Sequence, residues 1–249
     1  MTEEAKTIGA RPQGTHDQES AASAVREMFN TISPRYDLLN HVLSMNTDRY
    51  WWWRTAHRFR RILRQNDAHV LDLCCGTGDM TFALHRQSGG RAASITGADF
   101  AREMLRRAEI KGKKTPIHWV EADALHMPFA DATFDLVTSA FGFRNLADYD
   151  GGLREIYRVL RPNGELGILD FGEPKGIVGN FYRFYFKEVL PRVGTMISGV
   201  RGPYAYLPAS VERFPEPGEM LQRMREAGFR KVSYKPYTFG IAGLYWGKK

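Results

Sequence analysis

Asp72, Asp79, Asp99 and Asp123 are the residues best suited to chemistry, each set at or near the end of a short apolar run, with Gly76-Thr77-Gly78 between the first two. Residues 70–73 carry strand propensity and break abruptly into this glycine turn, which opens into a helical pattern at Met80, Phe82, Ala83 and Leu84. Strand, Gly-x-Gly and helix in that order let a nucleotide-like ligand approach backbone N–H groups at a helix N-terminus. A dinucleotide fingerprint needs a third glycine, and Thr81 stands in its place. Carboxylates on both sides of the turn would repel a pyrophosphate and suit a cationic ligand.

S-adenosylmethionine, with an ammonium, a sulfonium and no phosphate, fits that pattern. Asp99 ends the second strand-like run, where its carboxylate can accept both hydroxyl protons of a ribose. Asp123-Ala124 follows the third run and can meet the exocyclic amine of adenine. Each acid alone reads as a helix cap or a surface charge; their recurrence at successive strand ends points to a ligand.

Those residues need a sheet to hold them. Beyond residues 70–73, strands are predicted at 93–98, 117–121, 134–139 and 164–171, with helices at 101–109 and 149–160 between them. This alternation implies right-handed crossovers and a parallel sheet covered on both faces. Residues 175–218 break the rhythm with an aromatic and basic insertion (Phe181, Tyr182, Phe184, Tyr185, Phe186, Arg183, Lys187). A last helix at 217–227 and closing strands at 230–234 and 237–246 follow.

Ahead of the sheet, residues 1–24 lack period, hold few large apolar residues and read as a mobile tail. Residues 25–64 form a helical extension, with Val25, Met28, Phe29, Ile32 and Tyr36 at helical spacing. Asp48 is placed to cap a helix that buries Trp52, Ala56, Phe59 and Leu63. Trp51-Trp52-Trp53 cannot all face one side of that helix, so at least one meets a neighbouring segment, a ligand or a membrane interface. The remainder, 65–249, forms the main domain.

Composition is that of a soluble globular protein, with 43% hydrophobic and 25% charged residues. No apolar run is long enough to span a bilayer, and the polar start lacks a signal-peptide core, so a cytoplasmic address is expected. The two cysteines, Cys74 and Cys75, are adjacent and have neither disulfide nor zinc spacing. No metal is expected. The net charge of +7 suits nucleic acid, an anionic membrane surface or an acidic substrate without choosing among them.

Several segments together resemble a known family. Met28-Phe29-x-x-Ile32-Ser33-x-x-Tyr36-Asp37-x-x-Asn40, residues 70–79 and 123–129, Phe141-Gly142-Phe143-Arg144-Asn145, residues 158–162 and Tyr204-x-Tyr206-Leu207 are similar to the ubiquinone/menaquinone biosynthesis C-methyltransferases (UbiE/MenG). That resemblance implies an α/β fold: a Rossmann-like, seven-stranded class I methyltransferase sheet with an antiparallel last strand. It also implies methylation of a ring carbon on a polyprenylated quinol, demethylmenaquinol or the corresponding benzoquinol.

Cofactor contacts are then expected at Asp72, Gly76, Thr77, Gly78, Asp99, Phe100, Asp123, Ala124 and Ala140, the last replacing a serine usual in the family. Tyr36, Phe141, Phe143, Tyr204 and Tyr206 are expected to bind the substrate. Arg144 would hold the phenolate charge and Asn145 orient it, while the proton leaves through water toward an acid such as Asp170 or Asp148. The aromatic insertion and the tryptophans would make a greasy entrance and a peripheral membrane contact. A homodimer is compatible with these readings.

Rival readings are a small-molecule or phospholipid N- or O-methyltransferase, a nucleic-acid methyltransferase and a non-catalytic binder. Ser139-Ala140-Phe141-Gly142 lacks the Pro-Pro-aromatic loop that holds the amine of a flipped base, and no cysteine lies where cytosine chemistry needs its nucleophile. No nucleic-acid partner is therefore expected.

Overall fold

The computed structural model describes residues 9–37, 41, 44–92, 94–172, 174, 176, 179 and 203–249, apart from the side chains of 35 and 203–205. Its sheet has seven strands in the order β3-β2-β1-β4-β5-β7-β6. They are β1 (His69–Leu73), β2 (Ser94–Asp99), β3 (Ile117–Glu121), β4 (Phe134–Ala140), β5 (Leu160–Phe171), β6 (Arg230–Tyr237) and β7 (Ala242–Lys248). The first five pair in parallel, β7 is antiparallel to β5, and β6 is antiparallel to β7. The strand order reverses between β1 and β4, and the C-terminal ends of those strands frame the crevice where ligands bind in open α/β sheets.

Helices cover both faces. On one side α6 (Tyr149–Val159) and α8 (Pro217–Glu226) seat Leu153, Ile156, Met220 and Met224 on the sheet. Asp148 starts α6 by accepting the Gly151 N–H at 3.0 Å, and Tyr149, Leu153, Ile156 and Val159 recur on its buried face. On the other side α2 (Thr47–Arg58), the short α3 (Arg60–Leu63) and α4 (Asp79–Ser88) pack Trp51, Ala56, Phe59, Ala83 and Leu84. A large apolar side chain such as Leu84 or Met220, fully buried, stabilises the fold by about 1.5–3 kcal/mol. Two further helices, α5 (Arg102–Lys111) and α7 (Pro203–Arg213), complete the described set with α1 (Gln18–Ile32).

Several boundaries differ from those predicted, among them those of the closing strands, where Thr238–Gly240 form a turn inside the span expected for the last strand and β7 begins only at Ala242. Helix α1 begins at Gln18, seven residues before the first apolar position of its pattern, because Asp17 and Ser20 form a reciprocal cap. Residues 9–24 thus carry more structure than a mobile tail: the Ala10 N–H donates to Leu146 O at 2.7 Å, and a Cβ on Gly9 would fall 2.1 Å from Ala147 O. Asp48 does not cap α2; Asn46, with φ of 59°, precedes the helix, and Asp48 lies buried in its first turn. Strand β5 starts at Leu160 because Phe134 pairs with it ahead of an irregularity in the ladder.

The three tryptophans divide as their spacing requires. Trp51 packs between Phe141 and Phe171 and donates Nε1–H to Thr238 Oγ1 at 2.8 Å. Trp52 is buried, and Trp53 is half exposed, stacked on Tyr50 and His57.

Candidate active site

The C-terminal edges of β1, β2, β3 and β4 open into a cleft. Its floor is the glycine turn. Cys74, Gly76 and Gly78 all take left-handed backbone conformations, with φ of 55°, 55° and 89°. A Cβ on Gly78 would meet the Trp119 ring at 2.6 Å, so glycine is required there for space as well as for conformation.

Around this floor stand four carboxylates, Asp72, Asp79, Asp99 and Asp123, and no lysine or arginine lines the cleft among the described residues. Asp99, at the tip of β2, accepts the Gly76 N–H at 2.8 Å and the Ala101 N–H at 2.9 Å. Those bonds fix the carboxylate at the turn, while burial raises its pKa to about 6. Asp72 lies deeper and accepts from the hydroxyls of Thr81 at 2.6 Å and Thr138 at 2.8 Å. Burial is again the dominant effect and lifts its pKa to about 7. Asp123, half exposed beyond β3, accepts the Leu125 N–H at 2.9 Å.

Most residues expected at the cofactor line this cleft: Asp72, Gly76, Thr77, Asp99, Phe100, Asp123, Ala124 and Ala140. Gly78 shapes the turn without reaching the wall. Cys75 is buried beneath it, and burial followed by the charges of Asp99 and Asp72 pushes its thiol well above the ordinary range.

The opposite wall is apolar and aromatic, with Phe29, Tyr36, Trp52 and Phe141. Phe29 and Tyr36 arrive from the N-terminal segment, which crosses the glycine turn. That crossing is held by contacts hidden from sequence reading: the Thr77 hydroxyl donates to Asp37 at 2.5 Å, and Lys111 Nζ bonds Asp37 at 2.9 Å and Asp79 at 2.8 Å. The only signal for them is that Asp37 sits inside the Tyr36-Asp37 motif.

The Phe-Gly-Phe-Arg-Asn loop splits its residues between cleft and core. Phe141, at φ of 59°, and Asn145 line the cleft, and the Tyr206 hydroxyl donates to Asn145 Oδ1 at 3.1 Å. Burial raises the Tyr206 hydroxyl to about 12, so it stays a donor. Phe143 points instead into the core, fully buried and stacked on Tyr149, which corrects its expected contact with substrate.

Arg144 is also displaced from its expected place. Its guanidinium is buried, bonded to the Phe141 carbonyl and paired with Asp170 Oδ1 at 2.9 Å, while its own N–H donates to Asp170 Oδ2 at 3.1 Å. It holds the loop and does not line the cleft. Asp170, engaged through both oxygens, has burial raising its pKa and Arg144 lowering it, in that order of size. Asp148 is occupied as the cap of α6. The backbone of Tyr204 lies in α7, but its side chain and residues 181–187 of the insertion fall outside the described residues.

The chain is 47% identical to the demethylmenaquinone methyltransferase of Deinococcus radiodurans, over 94% of this chain and 95% of the relative. Identity to the protein of that name from Thermus thermophilus is also 47%, over 89% of this chain and all of the relative. The ubiquinone/menaquinone biosynthesis C-methyltransferase UbiE of Geotalea daltonii is 39% identical over 90% of this chain and 96% of the relative. Among solved structures, a S-adenosylmethionine-dependent methyltransferase from Thermotoga maritima superposes with a TM-score of 0.63 at 16% identity, covering 90% of this chain and 99% of that one. The [4+2]-cyclase SpnF superposes with a TM-score of 0.68 at 16% identity, over 98% of both chains. These two likenesses establish the fold alone, since one fold hosts different chemistries. The family model for the ubiE/COQ5 methyltransferases matches residues 15–249, and the chain belongs to that family.

Proposed function

We propose that the protein methylates the ring carbon of demethylmenaquinol, using S-adenosylmethionine as methyl donor. The observation that carries this reading is the two-sided cleft, with four carboxylates and no lining cation on one side and an aromatic wall on the other. The acidic side suits a ligand with an ammonium and a sulfonium; the aromatic side suits a flat, lipophilic ring. The name shared by the relatives at 47% identity supports a naphthoquinol over a benzoquinol.

When bound, S-adenosylmethionine supplies a methyl group on a sulfonium, a leaving group that needs no further activation. Asp99 offers its remaining lone pairs to the ribose hydroxyls, and Asp123 with Ala124 takes the adenine edge. Asn145, fixed by Tyr206, orients a ring hydroxyl at the cleft. Trp52, Phe141 and Tyr36 exclude water, and Arg144 with Asp170 keeps the loop in shape.

A peripheral membrane contact at the cytoplasmic face belongs to this proposal. Tyr50, Trp53 and Phe239 are exposed large apolar side chains, tied to one neighbourhood by the Tyr50–Trp53 stack and the Trp51–Thr238 hydrogen bond. Among the described residues, no helix is long and apolar enough to cross a membrane.

Incubation with methyl-labelled S-adenosylmethionine and, in parallel, demethylmenaquinol, phosphatidylethanolamine or RNA tests the assignment. Label in the quinol fraction alone is expected. Label in phosphatidylethanolamine or RNA would replace the reading.

A further inference from the structure

A second recess lies away from the cleft, with Arg58, Arg61, Lys231 and Lys248 around a floor that includes Phe59 and Trp246. It sits at the other edge of the sheet. Glu165, in its wall, pairs with Leu136 near the start of β4, whereas the cleft reaches Ala140 at the end of that strand. At about 3.3 Å per residue of parallel strand the two are roughly 13 Å apart along β4, so nothing bound here touches the reacting atoms.

The charge pattern is the reverse of that in the cleft: four cations face one carboxylate. Glu165 is already committed. Its Oε2 accepts Trp246 Nε1–H at 2.6 Å and lies 3.6 Å from Arg58 Nη1. The Arg58 guanidinium in turn lies over the rings of Trp246 and Phe59, at 4.8 Å and 5.5 Å. A guanidinium held face-on to a ring keeps its N–H edges free to donate. Among the described residues, no carboxylate pairs with Arg61, Lys231 or Lys248. Their mutual repulsion is relieved by an anion bound among them.

The backbone at Lys231 is a separate observation. Its φ is 49°, in the left-handed region that a side chain disfavours, and it stands where the β6–β7 ladder shifts register between Arg230 and Ser233. Irregularities of this kind re-aim side chains at sites, and this one places a lysine on the recess wall.

We propose that this recess binds a phosphoryl anion, either the phosphate of a lipid headgroup or free inorganic phosphate. Two guanidinium forks and two ammoniums suit a tetrahedral group with several oxygens, where a single carboxylate would leave donors unused. The site goes beyond the methylation reading and does not depend on it.

The test follows the Trp246 indole N–H by NMR while the full chain is titrated with inorganic phosphate, and with chloride at matched ionic strength. In parallel the protein is sedimented with phosphatidylcholine vesicles, with and without phosphatidylglycerol. Wild type is compared with R61Q/K231Q/K248Q, which should keep its melting temperature and its turnover of a short-tailed quinol. The resonance should move with phosphate and not with chloride, and the triple variant should bind phosphate at least about tenfold more weakly. Lys231→Gly, which accepts the same backbone conformation and removes the charge, should weaken binding about threefold on its own. Vesicle binding that the triple variant loses assigns the headgroup as the source, and vesicle binding that it retains assigns free phosphate. A resonance unmoved by phosphate, an equal movement with chloride, or equal phosphate affinity in the triple variant would overturn the proposal.

Discussion

Lys111, the last residue of α5, holds Asp37 of the N-terminal segment with Nζ 2.9 Å from Oδ2. The same ammonium reaches Asp79 at 2.8 Å and the Thr77 hydroxyl at 3.2 Å. One cation therefore fastens the covering segment to the glycine turn and neutralises two carboxylates at the cleft mouth.

Replacing this cation should loosen the cover more than it destabilises the fold. The three side chains keep 33%, 34% and 21% of their surface, and half-exposed ion pairs contribute about 0.2–1 kcal/mol each. Lys111→Met is expected to weaken S-adenosylhomocysteine binding about fivefold, as a loss of about 1 kcal/mol implies. Calorimetry with a parallel thermal melt checks this; a large fall in melting temperature with unchanged affinity would contradict it.

Arg144 and Asp170 should behave as a structural unit. Their side-chain exposures are 6% and 0%, and removing one partner leaves a buried charge without its counterion. Either Arg144→Ala or Asp170→Ala is expected to cost about 3–5 kcal/mol in denaturant unfolding. The double substitution should cost less than the sum of the singles, because it strands no charge. Additive losses would show that the two act independently.

The pH dependence of stability should be set in part by Asp72. Its folded pKa, about 7, lies above the ordinary carboxylate value of 3.8, so between those pH values the native state holds a proton that the unfolded chain has released. Its contribution to stability is complete below pH 3.8 and is lost as pH rises through 7. Asp72→Asn keeps partners for Thr81 and Thr138 while removing the buried charge. It should raise the melting temperature at pH 8, with a smaller gain at pH 5. An equal gain at both pH values would show that the carboxylate does not titrate in that window.

Much of this cleft is legible in the sequence because the groups that line its floor are local. Gly76, Asp99 and Asp123 follow strands whose apolar runs are visible, and topology carries the runs to a common edge. What escapes is pairing across the fold. Lys111 with Asp37 and Arg144 with Asp170 are separated by 74 and 26 residues, and no local pattern announces either pair. Phe143 and Asn145 come from one short motif, yet the turn after Phe141 sends the first into the core and the second to the cleft. Periodicity also misplaced the start of α1, because Asp17 and Ser20 set it through a cap.

Membrane contact should be measurable at the exposed aromatics. Trp53 keeps 50% of its surface and Phe239 keeps 82%, and Phe239 sits in the turn between β6 and β7 at a φ of 57°. That turn adjoins Ala242, which pairs with Phe171 at the C-terminal end of β5, on the same edge of the sheet as the cleft. A lipophilic quinol in the bilayer would then reach the cleft from the side that carries these residues. Arg49 is exposed beside them, and Arg54 lies over the rings of Tyr50 and Tyr237, a charge pattern that favours an anionic surface. Shallow insertion of the two rings is worth about 1–2 kcal/mol together, less than full burial of either. W53S/F239S should therefore weaken binding to phosphatidylglycerol-containing vesicles by about tenfold. Turnover of a short-tailed soluble quinol should be unchanged. Sedimentation with vesicles decides the matter: a wild type that stays in the supernatant, or a double variant that binds as well as wild type, removes the membrane role from this face.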